Sequence, residues 1–183
     1  MRPISSQKFA VFFGVALLVT TVVGTAAPTR DDVLGCWIAE SGDSVLEIQP
    51  DGDGLVGRIV ALDEPFYEPG ENAGRDGKLR LDDQNPDPQK RKQPVLGLDI
   101  LRDFQFESGW KGKIYDPRSG DTYESTLKVV DEGRLELRGY LGFAWLGRSV
   151  FYVPATSRAA DRDRLFEKSK TRGPCAQDGS ARR

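Results

Sequence analysis

The sequence predicts an all-β fold, namely a single antiparallel β-barrel with a long loop insertion and a short C-terminal helical tail. Two runs with side-chain period two, 110–115 and 121–129, flank a turn that contains Asp116, Pro117 and Gly120. This pattern is typical of a β-hairpin. Similar short runs recur without a long helix between them, which indicates an antiparallel all-β domain. Closure into a barrel would remove exposed strand edges, and a two-sheet sandwich is the alternative.

The other strands are predicted from the same alternation and from the turn residues between them. Leu135 and Leu137 share one face while Arg134, Glu136 and Arg138 share the other, so one face of that strand is expected to be buried. Outside the hairpin, we expect strands at 35–39, 44–48, 55–62, 134–140 and 148–153, with apolar character returning at 95–106.

Two segments depart from the strand pattern. Residues 63–94 are rich in Pro, Gly, Asp, Asn and Lys, and an interruption of this length in a compact domain is usually functional or mobile. Residues 159–168 carry opposite charges at helical spacing and are predicted to form about two turns of helix.

The first 26 residues have the layout of a secretory signal. Arg2 and Lys8 supply positive charge, residues 9–23 form an apolar run, and small residues precede the expected cleavage after Ala26. The alternative is an uncleaved membrane anchor, although the run is shorter than the roughly 20 residues that a membrane span needs. We therefore expect a secreted or periplasmic protein with no transmembrane segment after cleavage.

Cleavage would leave a barrel domain at 27–154 and a C-terminal extension at 155–183. Loss of Arg2 and Lys8 lowers the basic count from 26 to 24 against 28 acidic residues, so the net charge becomes −4. Charges of both signs are scattered, and no basic stripe is interleaved with aromatic residues. Nucleic acid is therefore not an expected partner.

Cys36 and Cys175 are the two cysteines of the chain. In an exported protein an even number of cysteines predicts a disulfide, which would tie the first strand to the C-terminal tail. Two separate buried thiols are the alternative.

Several motifs together resemble a family of small secreted bacterial proteins known as domain of unknown function twenty-one forty-seven. They are Gly35-x-Trp37, Asn85-Pro86-Asp87, Pro94-x-x-Gly97, Gly109-Trp110-x-Gly112-x-Ile114-Tyr115-Asp116-Pro117, and Arg138-Gly139-Tyr140-x-Gly142 followed by Gly147-Arg148. The resemblance covers residues 34–153 and implies a β-rich exported domain without an assigned activity. Cys175 lies outside this region, so the resemblance does not support the bridge.

A weaker likeness is to lipocalin-type barrels. Those proteins carry Gly-x-Trp on the first strand and an Arg on the last strand that packs over the Trp. The likeness implies a structural pair of Trp37 and Arg148, in which a guanidinium over an indole contributes about 0.5–2 kcal/mol. The alternative is that Trp37 is ordinary core and Arg148 ordinary surface.

Catalytic groups are scarce in this sequence. The chain has no His, which excludes Ser-His-Asp and Cys-His machinery and the usual zinc and non-haem iron sites. It also lacks a phosphate-binding glycine loop. We therefore expect a protein that is not an enzyme and that uses no cofactor or metal. The alternative is a hydrolase with paired carboxylates drawn from Asp83, Asp87, Asp103 and Asp116.

Asp83, Asn85 and Asp87 have the oxygen spacing that begins a calcium loop. Pro88 stands where such a loop needs Gly, and Pro94 stands where it needs Glu. We therefore favour turn chemistry for this segment and keep its three polar residues as ligand-binding candidates.

The main functional hypothesis is that aromatic residues line a ligand-binding cavity in the barrel. Small residues that face inward beside large ones can leave a cavity, and Gly112, Ser125 and Gly139 are the candidates. The alternative is that the aromatics fill the core. A further alternative places 143–146 at the barrel rim as an exposed apolar contact. The predicted ligand-binding aromatics are Trp110, Tyr115, Tyr123, Tyr140 and Trp145.

The function expected from these observations is non-catalytic binding of a small lipophilic molecule or of a cell-envelope component. The alternatives are an envelope protein-interaction module with a filled core and the carboxylate-dependent hydrolase.

Overall fold

A computed structural model describes residues 30–140, 142, 147–172 and 175, apart from the side chain of Glu132. Eight antiparallel strands close into one barrel, because each strand pairs with the next and the last pairs with the first. The predicted all-β barrel is therefore confirmed. The strands are β1 (Gly35–Ala39), β2 (Ser44–Asp51), β3 (Gly54–Leu62), β4 (Asp99–Phe106), β5 (Trp110–Asp116), β6 (Asp121–Val129), β7 (Leu135–Tyr140) and β8 (Arg148–Pro154).

The described part of the chain contains three helical segments, one of which is the 3-10 segment Asp131–Gly133 between β6 and β7. A short 3-10 turn, Arg30–Val33, precedes β1, and helix α1 (Ala159–Ser169) follows β8 at the place where the sequence predicts a helix. The expected signal at 1–26 lies outside the described residues. Among the helices that the structure describes, none is long and apolar enough to cross a membrane.

The 3-10 turn closes one end of the barrel, which we call the closed end. The indole Nε1–H of Trp37 donates to the carbonyl oxygen of Val33 at 2.9 Å, and that of Trp110 donates to the carbonyl oxygen of Arg30 at 3.0 Å. Buried indole N–H groups need such acceptors, so the two tryptophans fix the turn in place. The Arg30 guanidinium also lies 5.4 Å from the ring centroid of Trp110.

Helix α1 packs against the outside of the barrel. Leu165 and Phe166 of the helix form one apolar cluster with Ile38, Val45 and Ala61 of the first three strands. The Cys36–Cys175 disulfide lies beside this cluster and joins β1 to the residues beyond the helix, with 5.6 Å between the two Cα atoms. The predicted bridge is therefore confirmed, and the alternative of two separate thiols is wrong.

The helix is also held by polar contacts. Ser169 Oγ accepts from the Leu62 amide at 2.9 Å and donates to the Leu62 carbonyl at 3.1 Å. Arg164 and Lys168 both bond the carboxylate of Asp63. These bonds lower the pKa of Asp63 below its usual value, with the Lys168 contact as the largest cause.

The β3–β4 connection, residues 63–98, folds back onto the barrel, and we call it the flap. Within the flap, Leu81 pairs with Pro94 in an isolated β-bridge. Strand β4 begins after the flap because Gly97 turns the chain at φ 91° and its amide bonds the Ile59 carbonyl at 2.8 Å. Only the later part of the apolar stretch 95–106 is therefore a strand.

The flap is seated against the β5–β6 turn at Gly120. This residue has φ +79°, and a Cβ there would lie 2.0 Å from the carbonyl oxygen of Gln84 in the flap. Gly133 in the β6–β7 turn has a similar φ of +72° but open space around its Cβ position. Substitutions at these two glycines therefore distinguish the cost of a positive φ from the cost of a steric clash.

We predict that Gly120→Ala destabilises the protein more than Gly133→Ala. Both changes force an L-residue to positive φ, which costs about 1 kcal/mol. Gly120→Ala adds a clash with backbone, so we expect a total of about 3 kcal/mol. Urea unfolding monitored by tryptophan fluorescence measures the difference. Equal losses for the two variants would show that the flap does not press on this turn.

Candidate functional site

Small residues form a row across three neighbouring strands inside the barrel. Gly112 of β5 pairs with Ser125 of β6, and Ser125 pairs with Gly139 of β7. Arg148 of β8 pairs with Gly139 and extends the row. These positions share a face with the buried residues Trp110 and Leu127, so the register places the predicted small residues on the inner wall.

Some of these small residues face other side chains and not empty space. At Gly112 an added Cβ would lie 2.5 Å from the ring of Phe104, so the glycine makes room for that ring. At Gly139 the nearest atom, Cγ2 of Ile114, lies 3.3 Å from the Cβ position. Ser125 is fully buried, and its hydroxyl has no hydrogen-bond partner among the described residues.

Large apolar side chains fill much of the interior. Their exposure is at most 2 %, so they are packed against one another and leave little space for a guest. We call this set the filled core; its members are Leu46, Ile48, Leu55, Leu101, Phe104, Leu127, Leu135 and Leu137.

The inner wall is open at the end opposite the Arg30–Val33 turn. Val150 pairs with Leu137 and shares its face, yet Val150 is 46 % exposed while Leu137 is 1 % exposed. Ile114 and Tyr123 pair with each other on the same inner face and are half-buried. Together with Arg148, which is exposed, these residues form what we call the mouth.

The mouth combines apolar surface with polar groups. Arg148 has no ion pair or hydrogen bond within the described part of the chain, and the Ser125 hydroxyl lies one strand beyond Gly139. Nearby on the inner wall, burial raises the pKa of Tyr152 to about 12, with the field of Asp43 as a smaller cause. Tyr152 therefore keeps its hydroxyl proton at neutral pH. The described residues of such a site offer an apolar wall, hydroxyl groups and the cation of Arg148.

Most of the predicted ligand-binding aromatics lie elsewhere. Trp110 lies at the closed end, Tyr115 faces the flap on the outer wall, and Tyr140 pairs with Glu124 on the outer face of β6 and β7. Tyr123 is the predicted aromatic that reaches the mouth, while Trp145 and the apolar run 143–146 lie outside the described residues. The structure therefore does not bring the described members of this set together.

Asp83 and its neighbours lie in the flap. The Asp83 carboxylate binds the guanidinium of Arg75 at 2.6 Å and accepts from the Tyr67 hydroxyl at 2.6 Å. The Arg75 bond is the largest cause that lowers the pKa of Asp83. Asn85 Oδ1 accepts from the Asp87 amide at 2.9 Å, and Asp87 Oδ1 accepts from the Gln89 amide at 2.9 Å. These bonds are the turn chemistry that the sequence favours for the segment.

Asp82, which the sequence analysis did not select as a site residue, anchors the flap. Its carboxyl group is fully buried, and it accepts from the Tyr115 hydroxyl at 2.6 Å and from the Asn85 side-chain amide at 2.6 Å. Burial and the contact with Asp82 raise the pKa of Tyr115. In the sequence, strand parity places only one partner of this contact, because an inward-facing Gly112 requires an outward-facing Tyr115.

The expected stack of Arg148 on Trp37 is wrong. Trp37 pairs with Pro154, whereas Arg148 stands six positions earlier on β8 and pairs with Gly139. At about 3.3 Å per residue these positions are roughly 20 Å apart, which exceeds the reach of an Arg side chain. Among the described residues, the guanidinium of Arg30 lies over the ring of Trp110.

The carboxylates considered for hydrolysis each meet a local partner. Asp103 lies 3.8 Å from the ammonium of Lys113, and Asp116 lies 3.2 Å from the guanidinium of Arg118. Asp83 is bonded to Arg75 within the flap. These contacts are typical of surface ion pairs and turns.

One depression of the surface is separate from the mouth. It has a volume of about 290 Å³ and lies between the flap and α1, where Asp63, Phe66 and Lys168 are among its lining residues. Its carboxylate at Asp63 is already bonded to Lys168.

A closed meander of eight antiparallel strands, capped at one end and open at the other, defines a lipocalin-like barrel. Among solved structures, the chain is similar to HP1028 from Helicobacter pylori, whose description says that it belongs to the lipocalin family. The TM-score is 0.54 at 17 % identity, and the alignment covers 74 % of this chain and 97 % of that one. At this identity the likeness shows the fold alone.

Residues 35–153 match the family described as uncharacterized protein conserved in bacteria, DUF2147. This protein belongs to that family, because the match spans more than half of its chain. The resemblance drawn from the sequence motifs is therefore confirmed. No curated protein matches the chain.

We predict that Tyr115→Phe loosens the flap and lowers the free energy of unfolding by about 1–3 kcal/mol, because it removes a donor from a buried carboxyl group. Tyr123→Phe is the matched control, since the Tyr123 hydroxyl makes only an exposed bond of 3.3 Å to Asp121. We expect the control to change stability by less than about 0.5 kcal/mol. Urea titration of both variants checks this, and a neutral Tyr115→Phe would remove Asp82 as the anchor.

Proposed function

We propose that this protein is a non-catalytic binder of a small lipophilic molecule with an anionic end, which it takes at the mouth of the barrel. The observation that carries the proposal is the exposure of Val150, an inward-facing apolar residue that stands opposite the buried Leu137. Apolar surface on the inner wall of a barrel, left open to solvent, is a binding surface for an apolar guest.

The polar groups of the mouth indicate the chemistry of the polar end of the guest. Arg148 is exposed on the same inner face without an ion pair in the described part of the chain, so it is available for a carboxylate or a phosphate. Ile114, Tyr123 and Val150 supply the apolar wall. A fatty acid or a similar amphipathic anion fits this combination.

The filled core limits how deep the guest enters. Leu127 and Leu137 are 1 % exposed, and Phe104 occupies the space beside Gly112. The guest therefore lies at the mouth with part of its chain in contact with solvent, which favours modest affinity over permanent retention.

The absence of His and the local pairing of Asp83, Asp103 and Asp116 support binding without catalysis. The Cys36–Cys175 disulfide is compatible with export to an oxidising compartment and supports a secreted or periplasmic location.

A second candidate function is a protein-interaction module in the cell envelope. The filled core favours it, because a barrel of this kind needs no internal guest to be stable. This candidate predicts that lipophilic molecules do not bind and that a protein partner is recovered by cross-linking.

The mouth is tested by displacement of a fluorescent fatty acid probe by oleate and by oleyl alcohol. We expect Val150→Gln to weaken oleate binding about tenfold, because it removes exposed apolar surface from the site. We expect Arg148→Gln to weaken oleate binding but to leave oleyl alcohol unaffected, because only oleate carries the charge.

Phe106→Gln is the matched control, because Phe106 is 40 % exposed but lies beside Trp110 at the closed end. Its affinity for oleate should equal that of the wild type. If the wild-type protein binds neither probe nor oleate, or if the Phe106 and Val150 variants lose affinity equally, binding at the mouth is refuted.

A further inference from the structure

Two sulfur atoms and a carboxylate meet on the outer wall of the barrel, away from the mouth. Cys36 of β1 pairs with Glu47 of β2, and Cys175 reaches the same place through the disulfide. One ligand atom from each of the three residues lies within 4.8 Å of the other two. This group does not take part in the binding function proposed above.

Glu47 is the unusual member of this group. The residue is only 9 % exposed, and its carboxylate makes no hydrogen bond within the described part of the chain. The sulfurs of a disulfide offer this carboxylate no donor, so its oxygens can still take a cation as a partner.

Arg58 faces Glu47 from the neighbouring strand, and its guanidinium is already engaged. It pairs with Glu47 across β2 and β3, but its guanidinium donates to both carboxylate oxygens of Asp99, at 2.7 and 3.0 Å. Its charge acts on Glu47 through space without supplying a hydrogen bond. A second cation beside Glu47 would satisfy the carboxyl group directly.

We propose that reduction of the disulfide turns this cluster into a Zn²⁺ site with Cys36, Cys175 and Glu47 as its ligands. An external dithiol supplies two electrons and two protons to the Cys36–Cys175 bond and is itself oxidised to a disulfide. The two thiols formed lose their protons to water as the metal binds. Two thiolates, one carboxylate and one water complete a tetrahedral set of the kind that Zn²⁺ accepts.

The backbone geometry is compatible with this change. The two cysteine Cα atoms are 5.6 Å apart, and a tetrahedral zinc with bonds of about 2.3 Å holds two sulfurs roughly 3.8 Å apart. Rotation of the two side chains provides that separation. The metal would then keep the C-terminal residues attached to β1 when the covalent link is absent.

The site is tested with Co²⁺, which replaces Zn²⁺ in such sites and absorbs visible light. The full-length protein is reduced with a phosphine, freed of reductant without oxygen, and titrated with Co²⁺ alone. We expect one equivalent to bind with the visible spectrum of tetrahedral cobalt and a thiolate-to-cobalt charge-transfer band. Added Zn²⁺ should abolish both signals, and the oxidised protein should show neither.

Glu47→Gln tests the carboxylate ligand. We expect it to weaken Co²⁺ binding by about tenfold or more, since even groups outside the coordination shell contribute that much. Glu124→Gln is the matched control on the exposed outer face of β6 and should bind as the wild type does. No charge-transfer band in the reduced wild type, or equal affinity in the Glu47→Gln variant, would overturn the proposal.

Thermal unfolding of the reduced chain tests Zn²⁺ binding independently of the cobalt spectrum. This test also applies if reduction weakens the fold. We expect Zn²⁺ to raise the midpoint of the reduced wild type and to have a much smaller effect on Glu47→Gln. A midpoint that Zn²⁺ does not change, or changes equally in both proteins, would contradict the site.

Discussion

The pairing of β1 with β8 closes the barrel, and the enclosed interior depends on it. The first strand has only five residues, and three of them pair with β8. The C-terminal extension reinforces this seam, because Arg158 donates to the carbonyl of Glu40 at 3.1 Å and Cys175 is bonded to Cys36. A cross-link over 139 residues stabilises the fold by up to about 5 kcal/mol in the chain-entropy view. Residues beyond the family match therefore secure its shortest strand.

The interior of the closed barrel has two regions, the filled core and the open mouth. The absence of a side chain at Gly112 leaves room for the buried ring of Phe104, which belongs to the filled core. Val150 and Arg148 then remain as inner-wall residues in contact with solvent. The same packing that stabilises the barrel thus restricts binding to one end, where apolar surface and a cation lie side by side.

Local signals in the sequence account for much of this fold. Period-two alternation and turn residues predicted the β5–β6 hairpin, the two faces of β7 and the row of small inward residues, because these features depend on near neighbours. The position of Arg148 relative to Trp37 could not be predicted, since it depends on the stagger between the first and last strands. The Asp82–Tyr115 contact joins residues 33 positions apart and has no local signal. The aromatic character of Tyr115 and Tyr140 predicts ligand binding, but parity with Gly112 and Gly139 places both side chains on the outer wall.

Methyl NMR of the wild-type protein during an oleate titration tests the division of the interior most directly. The account predicts concentration-dependent shifts of the Val150 and Ile114 methyl groups, while those of Leu46 and Leu127 in the filled core stay unchanged. Shifts that spread through the filled core would show that the guest enters the barrel fully. Shifts confined to methyl groups outside the mouth would place the binding surface elsewhere and contradict the account.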